Sequence, residues 1–370
     1  MVGGSCTATG AGSMPDPGTP HRAPAGASMQ DGYRIVEWGV DPVWQTFEVG
    51  SPGSDEVLIQ VEACGVGLTV LNMIRGDLAD ERAKLPRVPG HELVGRVVAV
   101  GTAVPRELVG RRITTYVYLY CGSCAECVAG LEDRCLRLGG YVGVHRDGGY
   151  APYTVLPARN VIRLPDALDP VAATVIPDAV STSVHVCRSR ARVGPDDRVA
   201  VIGAGGGVGI HMIQVAAMYG ARVAGLDVEA DKLEAIEALG ALPVMSADFA
   251  GLNARLWDSG PPTVVVDFLG SPDSLGWAMT SVGAGGRVVV LTTFRDLVAV
   301  LDPRLLVMNE ASILGSRYAT RHEVELAADF VAQGRVQPII GATSGPAGVG
   351  EIHERLRTRR LVGRGALSWA

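Results

Sequence analysis

Four cysteines lie within the single stretch "CGSCAECVAGLEDRC". They are Cys121, Cys124, Cys127 and Cys135. Four thiolates at the spacing C-x2-C-x2-C-x7-C can surround one Zn2+ as a complete tetrahedral set, which leaves no open position for a substrate. Free thiols or disulfides are the alternative, and disulfides are rare in cytosolic proteins. The spacing therefore predicts a structural zinc site in a lobe of about residues 116–140.

A glycine-rich stretch, "VIGAGGGVGIHMIQVAA", joins an apolar strand to a predicted helix. Glycines at such a turn let backbone N–H groups approach a pyrophosphate at the positive end of the helix dipole. The run carries one glycine more than the strict G-x-G-x-x-G pattern, and a tight strand–helix turn alone also needs glycine. The residues predicted to contact a dinucleotide here are Gly203, Gly205, Gly206, Gly207, Val208 and Gly209.

An acidic residue, Asp227, closes the next predicted strand, "RVAGLD". A carboxylate at this place typically binds the ribose hydroxyls and repels a 2′-phosphate, so NAD(H) is predicted in preference to NADP(H). Capping of the following helix is the alternative role of Asp227. Lys232, on that helix, is predicted to contact the cofactor as well.

Two regions with different residue patterns must position these groups. From Tyr33 to about Pro165, short β-branched runs are broken by Gly and Pro, which indicates a β-rich, barrel-like domain. From about Asp178, apolar strands alternate with helical stretches, which is typical of a parallel sheet covered on both faces. After Tyr318 the pattern predicts one helix, "HEVELAADFVAQGRV", and then a polar, Arg-rich end. The predicted fold class is α/β.

Composition limits the classes of function. The 370 residues suffice for two domains, and 47% hydrophobic with 19% charged residues favours buried cores. The net charge of −6 argues against nucleic acid or an anionic membrane as partner, and no long apolar window predicts a membrane span. Residues 1–28, rich in Gly, Ala, Ser, Thr and Pro, are predicted to be a disordered leader. A cytoplasmic protein with a small-molecule substrate is expected.

In this order, the pieces resemble the zinc-containing alcohol dehydrogenase branch of the medium-chain dehydrogenase/reductase family. The matching segments are "CGVGLTVLNMIRGD", "VPGHELVGRVVAVG", the four-cysteine stretch, "IPDAVSTSVHV", the glycine turn with its following acid, and "LVGRGALSWA". The resemblance implies a GroES-like catalytic domain (29–180 and 318–370) and a Rossmann domain with a doubly wound parallel sheet (181–317). It also implies a homodimer or homotetramer, and hydride transfer between NAD(P) and an alcohol or carbonyl, with zinc polarising the oxygen.

The resemblance also assigns roles to residues of the cleft between the domains. His91 and Asp178 fall at two ligand positions of the catalytic zinc, and Glu92 is the neighbouring acid that can approach the metal. Thr69 matches the hydroxyl that passes the substrate proton. Arg364 falls where a C-terminal arginine touches the cofactor phosphates. The predicted catalytic set is thus Thr69, His91, Glu92 and Asp178.

The stretch "EACGVGLTVLNMIRGD" departs from the family pattern. Aligning "GV", Thr69 and the downstream "GD" puts Gly67 at the ligand cysteine, and Cys64 at an upstream position that often holds a non-ligand cysteine. Val70 replaces the aspartate that normally orients the ligand histidine, and such partners matter to metal affinity. The turn "GAGGGVG" has the length seen in the zinc-free quinone oxidoreductase branch. The presence of a catalytic zinc therefore stays open.

Three functions are compatible with these features. The first is an NAD-dependent alcohol/carbonyl oxidoreductase with an altered zinc site. The second is a zinc-free reductase of activated C=C bonds, in which Thr69, Tyr116 or His185 donates to the developing enolate. For Tyr116 and His185 a packing role is the alternative. The third is a non-catalytic nucleotide-binding relative.

Overall fold

The structure, a computed structural model, describes residues 28–292 and 302–369. Except for its last residue, the predicted leader lies outside these residues. The strands are β1 (Ser28–Arg34), β2 (Val43–Val49), β3 (Glu56–Val66), β4 (Glu92–Val100), β5 (Arg112–Thr115), β6 (Tyr153–Pro157), β7 (Val161–Arg163), β8 (Arg198–Ile202), β9 (Arg222–Asp227), β10 (Leu242–Met245), β11 (Val264–Asp267), β12 (Arg287–Val290), β13 (Ser312–Gly315), β14 (Ile340–Ser344) and β15 (Arg364–Ser368).

The helices are described in the same order. They are α1 (Leu68–Arg75), α2 (Ala125–Val128), α3 (Pro170–Ala173), α4 (Ser181–His185), α5 (Gly209–Met218), α6 (Ala230–Ala238), α7 (Pro272–Ser281), α8 (Pro303–Asn309), α9 (Arg321–Ala332) and α10 (Val349–Arg357). Two π-helical segments, Ile176–Val180 and Val186–Arg190, flank α4 and make one continuous helical stretch. Short 3-10 turns lie at Arg106–Leu108, Glu132–Arg134, Ala158–Asn160 and Pro346–Gly348. Within the described part, no helix is both long and apolar enough to cross a bilayer.

The second half of the chain forms a parallel sheet with strand order β10-β9-β8-β11-β12-β13. Every neighbouring pair in it is parallel. The short valine-rich strand β11 is buried along its whole length, as expected of a sheet covered on both faces. The strand order reverses between β8 and β11, which makes a crevice beyond the carboxyl ends of these strands. The predicted doubly wound Rossmann sheet is confirmed.

The first half forms a seven-stranded sheet, and the chain's end returns to it. The order is β14-β15-β3-β4-β5-β7, and β6 also pairs with β3. β1 and β2 form a separate antiparallel pair. The residue pattern alone predicts only a polar, Arg-rich end after α9, whereas the structure places β14, α10 and β15 there. β15 is missed because "RGALS" is too short to show strand periodicity, although it runs antiparallel beside β3.

Helix α9 holds the helical stretch 176–190 in place. Thr320 and Glu323 form a capping box at the start of α9. The Glu323 carboxylate then lies 2.7 Å from Nδ1 of buried His185 and accepts a hydrogen bond from Ser189. Burial opposes ionisation of Glu323, but His185 outweighs it and lowers the pKa of that carboxyl to about 2. His185 therefore has the packing role, and the stretch that carries Asp178 is fixed between both domains.

Candidate active site

Two charged side chains, Glu92 and Arg364, come from the strands on either side of β3 and meet over its end. Glu92 of β4 pairs with Gly65, and Arg364 begins β15 on the other side of β3. Gly65 and Gly67 are two residues apart, so they share one face of the strand. A Cβ at Gly65 would lie 2.7 Å from Glu92 Oε2, and a Cβ at Gly67 would lie 2.4 Å from Arg364 Cζ. The two glycines thus leave the space in which Glu92 and Arg364 meet.

Arg364 forms a buried ion-pair cluster with two carboxylates. Its Nε–H lies 3.0 and 2.9 Å from the two oxygens of Glu92, while Nη2 donates to Glu92 Oε1 at 2.7 Å and Asp178 Oδ2 at 2.5 Å. Glu92 is 0% exposed and Arg364 is 3% exposed. Burial works against the guanidinium charge, but Glu92 and Asp178 outweigh it and raise the pKa of Arg364. Burial raises the pKa of Glu92, while the charge of Arg364 opposes this rise. The three hydrogen bonds from Arg364 favour the ionised carboxylate.

Asp178 also has partners other than Arg364. Thr182 Oγ1 donates to Asp178 Oδ1 at 2.9 Å, and His91 Nε2 lies 3.4 Å from Asp178 Oδ2. Burial raises the pKa of Asp178, but the bond to His91 and the charge of Arg364 hold it well below its usual range. The carboxylate is therefore kept ionised by its neighbours.

His91 lacks a hydrogen-bond partner on its second ring nitrogen. Its Nδ1 is buried and bonds to nothing in residues 28–292 and 302–369. The resemblance places Val70 where an aspartate normally orients this ring, and Val70 is buried as an apolar core residue. The Asp178 carboxylate can only accept, so it favours a proton on Nε2 of His91. Nδ1, in contrast, lacks the hydrogen-bond partner that usually orients a metal-binding histidine.

His91, Glu92 and Asp178 are close enough in space for a metal site. One donor atom from each lies within 4.8 Å of the others. However, the carboxylates already accept hydrogen bonds from Arg364, and a side chain at Gly67 would collide with this guanidinium. As placed, these residues fit a guanidinium and do not fit a catalytic metal. The assignment of all three as zinc ligands rests on the resemblance and stays a prediction.

Cys64 lies on the opposite face of β3 from Gly65 and Gly67. It is 0% exposed, and a Cβ at Gly149 would lie 2.8 Å from its Sγ, so backbone packs directly on the thiol. Burial raises the pKa of Cys64 far above its usual value. This cysteine is a core residue and is absent from the cluster of donor atoms in the cleft.

The glycine turn lies against the same arginine. A Cβ at Gly207 would lie 2.6 Å from Arg364 Cδ and 2.7 Å from Nη1. Gly363 N–H donates to Gly205 O at 3.0 Å, which joins the turn to the start of β15. Nη1 of Arg364 makes no hydrogen bond within the described part of the chain. One edge of the guanidinium thus binds carboxylates, and the remaining nitrogen lies beside the turn.

The turn also leaves a backbone donor free. Gly203 adopts a φ of +78°, and its N–H and that of Ala204 donate to Leu226 O. Gly206 and Gly363 form an isolated parallel bridge, in which Gly207 N–H faces Gly363 O. In contrast, the N–H of Val208, which precedes α5, donates to no described residue. Together with Arg364 Nη1 it can bind the phosphates of a dinucleotide.

Asp227 and Lys232 lie together at the end of β9. Asp227 Oδ2 accepts from Gly205 N–H at 2.9 Å, and Oδ1 accepts from Val228 N–H at 2.8 Å. Lys232 Nζ is 3.7 Å from Asp227 Oδ1. The residue that precedes α6 is Glu229, so Asp227 does not cap that helix. Instead its carboxylate holds the glycine turn.

One residue at the turn, His211 of α5, is missed by the sequence pattern. Its Nδ1–H donates to Gly207 O at 2.7 Å, and its Nε2 accepts from Ile339 N–H at 3.1 Å. Burial lowers the pKa of His211 to about 4, which keeps the ring neutral. The sequence pattern does not indicate this role, because His211 lies within the apolar helical stretch "VGIHMIQVAA".

Of the predicted hydroxyl groups, Thr69 and Tyr116 have different surroundings. Thr69 lies in the first turn of α1 and is partly exposed, and its hydroxyl bonds to no described residue. Tyr116 is fully buried and donates to Ala319 O at 2.7 Å. Thr69 can therefore meet a substrate, whereas Tyr116 is part of the core.

The four cysteines of the lobe converge as a separate site. Sγ of Cys127 lies 3.9 Å from that of Cys121 and 3.5 Å from that of Cys124, while Cys124 and Cys135 are 4.0 Å apart. Four sulfurs around one Zn2+ at about 2.3 Å would be about 3.8 Å apart. The Cys124 N–H also points at Cys121 Sγ at 3.4 Å. These thiols fit a structural zinc, which would join the lobe's loops without taking part in the reaction.

Comparison with known proteins agrees with this architecture. The family model described as "Alcohol dehydrogenase GroES-like domain" matches residues 53–166, and "Zinc-binding dehydrogenase" matches residues 207–333. An alcohol dehydrogenase of Geobacillus stearothermophilus is 35% identical, covering 84% of this chain and 90% of that protein. An acryloyl-coenzyme A reductase of Sulfurisphaera tokodaii is 27% identical, covering 85% and 92%.

A solved structure shows the same fold. The crystal structure of an NAD-dependent alcohol dehydrogenase superposes with a TM-score of 0.84 at 29% identity, covering 91% of this chain and 99% of that one. The relatives include both dehydrogenases and a reductase, and all are oxidoreductases by name. This chain is therefore an NAD(P)-dependent oxidoreductase and belongs to the zinc-containing alcohol dehydrogenase-like branch of the medium-chain dehydrogenase/reductase family.

Proposed function

We propose that this chain transfers hydride between NAD(H) and a small alcohol or carbonyl substrate, in the cleft where the glycine turn meets the ion-pair cluster. The position of Arg364 carries this proposal. Its guanidinium binds Glu92 and Asp178 on one edge and lies beside Gly207 with Nη1. A dinucleotide on the turn would place its phosphates next to the cation that organises the cluster.

We infer that the cofactor is NAD(H) in preference to NADP(H). Asp227 is 6% exposed and held by two backbone N–H groups, so its carboxylate has a fixed place at the end of β9. A 2′-phosphate would face this negative charge. Lys232, 3.7 Å away, offers an N–H donor to the ribose and only partly offsets the repulsion.

The cluster supports a cleft that works without a catalytic zinc. In this branch of the family zinc polarises the substrate oxygen. Here Gly67 offers no thiolate, and the carboxylates of Glu92 and Asp178 are bound to Arg364. The guanidinium supplies the fixed positive charge that offsets these carboxylates. Thr69, whose hydroxyl bonds to no described residue and is partly exposed, passes the substrate proton to or from solvent.

Zinc content and cofactor choice test this proposal together. The purified chain should hold about one zinc, in the four-cysteine lobe. It should oxidise NADH with a ketone or an enone panel, at a kcat/KM about tenfold or more above that with NADPH. Asp227→Ala should lower the ratio of kcat/KM with NADH to kcat/KM with NADPH. Asp231→Ala, on α6, is the control and should leave this ratio unchanged. Two zinc ions per chain, with turnover lost when one is removed, would contradict the metal-free cleft.

Reduction of an activated C=C bond is the second candidate. The same lack of a metal ligand at Gly67 favours it, because a conjugated alkene accepts hydride at carbon and needs only a hydrogen bond at the carbonyl. Acryloyl-coenzyme A reductases occur among the relatives. Turnover of enones without turnover of the matched saturated ketones would select this function. NADH binding without turnover on either panel would instead favour a non-catalytic role.

We also propose that the chain forms a homodimer or homotetramer and resides in the cytoplasm. β13 is the last strand of the parallel sheet among the described residues, and apolar Ile313 of β13 and Val307 and Met308 of the preceding helix α8 are exposed. A second copy could cover them. A reducing compartment would keep the lobe thiols available for zinc. Light scattering of the wild type and Ile313→Lys tests the assembly, and a monomeric wild type would refute it.

A further inference from the structure

One arginine, Arg317, has no acidic partner among the described residues. It lies two residues beyond β13, and its side chain is exposed to solvent. Nε–H donates to Tyr118 OH at 3.2 Å, and Nη2 donates to Tyr141 OH at 3.1 Å. Its Cζ lies 4.8 Å from the centre of the Tyr118 ring. Neutral phenols thus hold a full positive charge in place without neutralising it.

The surrounding side chains fix the direction of this guanidinium. Tyr118 and Tyr141 pack edge to face at 5.1 Å, and Tyr118 lies 4.8 Å from the Tyr318 ring. Tyr318 itself has a φ of +51°, which is uncommon for an aromatic residue, and its hydroxyl accepts from Val117 N–H. A strained backbone next to Arg317 therefore sets its place, as is common at functional sites.

Arg317 lies at the same edge of the parallel sheet as the glycine turn. It follows the carboxyl end of β13, and the turn that contacts Arg364 follows the carboxyl end of β8. Thr115, three residues before Tyr118, donates through Oγ1 to His91 O at 3.4 Å, which joins the aromatic group to the cluster. Ligands of such sheets bind beyond this edge, so Arg317 is a second cation beside the cleft, separate from Arg364.

We propose that Arg317 determines substrate specificity by binding an anionic group of the substrate, a carboxylate or a phosphate. This inference rests on the proposed function and names its substrate class: a small carbonyl or enone compound that carries an anion apart from the reacting carbon. Nη1 and one N–H of Nη2 make no bond within residues 28–292 and 302–369. This free edge matches two oxygens of a planar carboxylate.

Matched pairs of substrates test the inference. We compare 4-oxopentanoate with its methyl ester, and glycerone phosphate with glycerone, using NADH and measuring kcat/KM. The wild type should prefer the charged member of at least one pair. Arg317→Gln should lower kcat/KM for that anion by about 10- to 100-fold, mainly through KM, and change the neutral partner by no more than about threefold. Arg317→Lys should retain part of the preference.

Arg335→Gln is the matched control. Arg335 is another exposed arginine, and its Cζ stacks 4.7 Å from the Phe330 ring after α9. Its loss should leave both members of each pair unchanged. A preference for 4-oxopentanoate over its methyl ester would identify the anion as a carboxylate. A preference for glycerone phosphate over glycerone would identify it as a phosphate. An equal loss on charged and neutral substrates in Arg317→Gln would mean that the residue is structural, and the inference would be wrong.

A binding measurement separates this inference from the proposed function. Calorimetric titration of 4-oxopentanoate, and of glycerone phosphate, into the enzyme–NAD+ complex needs no turnover. Binding that requires Arg317 supports the anion site even if no panel compound is reduced. Turnover of neutral ketones, with no anion bound in the wild type, would overturn the anion site and leave the proposed hydride transfer intact.

Discussion

The four-cysteine lobe and the cleft cluster each bring together donor atoms suited to a metal, but their surroundings differ. In the lobe, the thiols are approached by backbone N–H groups and by one another, and no cation bonds to them in the described structure. In the cleft, the carboxylates of Glu92 and Asp178 bond to Arg364. Convergence of donors therefore defines a metal site only when no side chain of the protein supplies the positive charge.

The largest effect is expected from Cys121→Ser, which removes one of the four thiols of the lobe. Structural zinc in small sites contributes about 10 kcal/mol or more of apparent binding free energy, so the lobe should lose its metal and unfold locally. Zinc content should fall from about one per chain to near zero, and the thermal midpoint by about 10 °C or more. Cys64→Ala is the control, because Cys64 lies in the core. An unchanged midpoint in Cys121→Ser would refute a structural zinc.

A smaller but still large loss of stability is expected from Arg364→Leu, which removes the guanidinium from the cleft cluster. Removing one member of a buried ion pair leaves uncompensated carboxylates and costs about 3–5 kcal/mol. Urea unfolding at neutral pH measures this loss. Arg357→Leu removes an exposed arginine that pairs with Asp41, so it should cost no more than about 1 kcal/mol. Adding Glu92→Gln to Arg364→Leu should recover part of the stability.

The pH dependence of Arg364→Leu follows from the direction of the Asp178 shift. His91 and Arg364 hold the pKa of buried Asp178 below its unfolded value of about 3.9. A depressed pKa contributes stability above that value and loses it as the pH falls. The difference in unfolding free energy between wild type and variant should therefore be largest near pH 7 and shrink below about pH 4. A difference independent of pH would show that Arg364 acts through packing alone.

The two sites also differ in how far the sequence alone reveals them. All four lobe cysteines lie within one stretch, so their spacing suffices to predict a common ligand. The partners Glu92 and Arg364 are 272 positions apart, and only the register of β4, β3 and β15 brings them together. The pattern at Gly67 indicates a lost ligand, but it does not show that a guanidinium takes the space. The parallel sheet, by contrast, was predictable because most of its strands carry their own apolar signal; β10, "LPVM", is the exception, since it is short and largely at the surface.

The smallest change in metal content is expected from Gly67→Cys. This variant tests directly whether the guanidinium of Arg364 keeps a metal out of the cleft. It restores the thiolate that the family resemblance expects at this position. A Cβ there would lie 2.4 Å from Cζ and Nη1 of Arg364, so the thiol would compete with the guanidinium for the same space. Zinc content, measured by plasma emission on the purified chain, should stay at about one per chain. The double variant Gly67→Cys/Arg364→Ala frees His91 and Asp178 beside the new thiolate and should raise the content toward two. A rise toward two in the single variant would show that Arg364 moves aside readily, and the cleft would then be a metal site like the lobe.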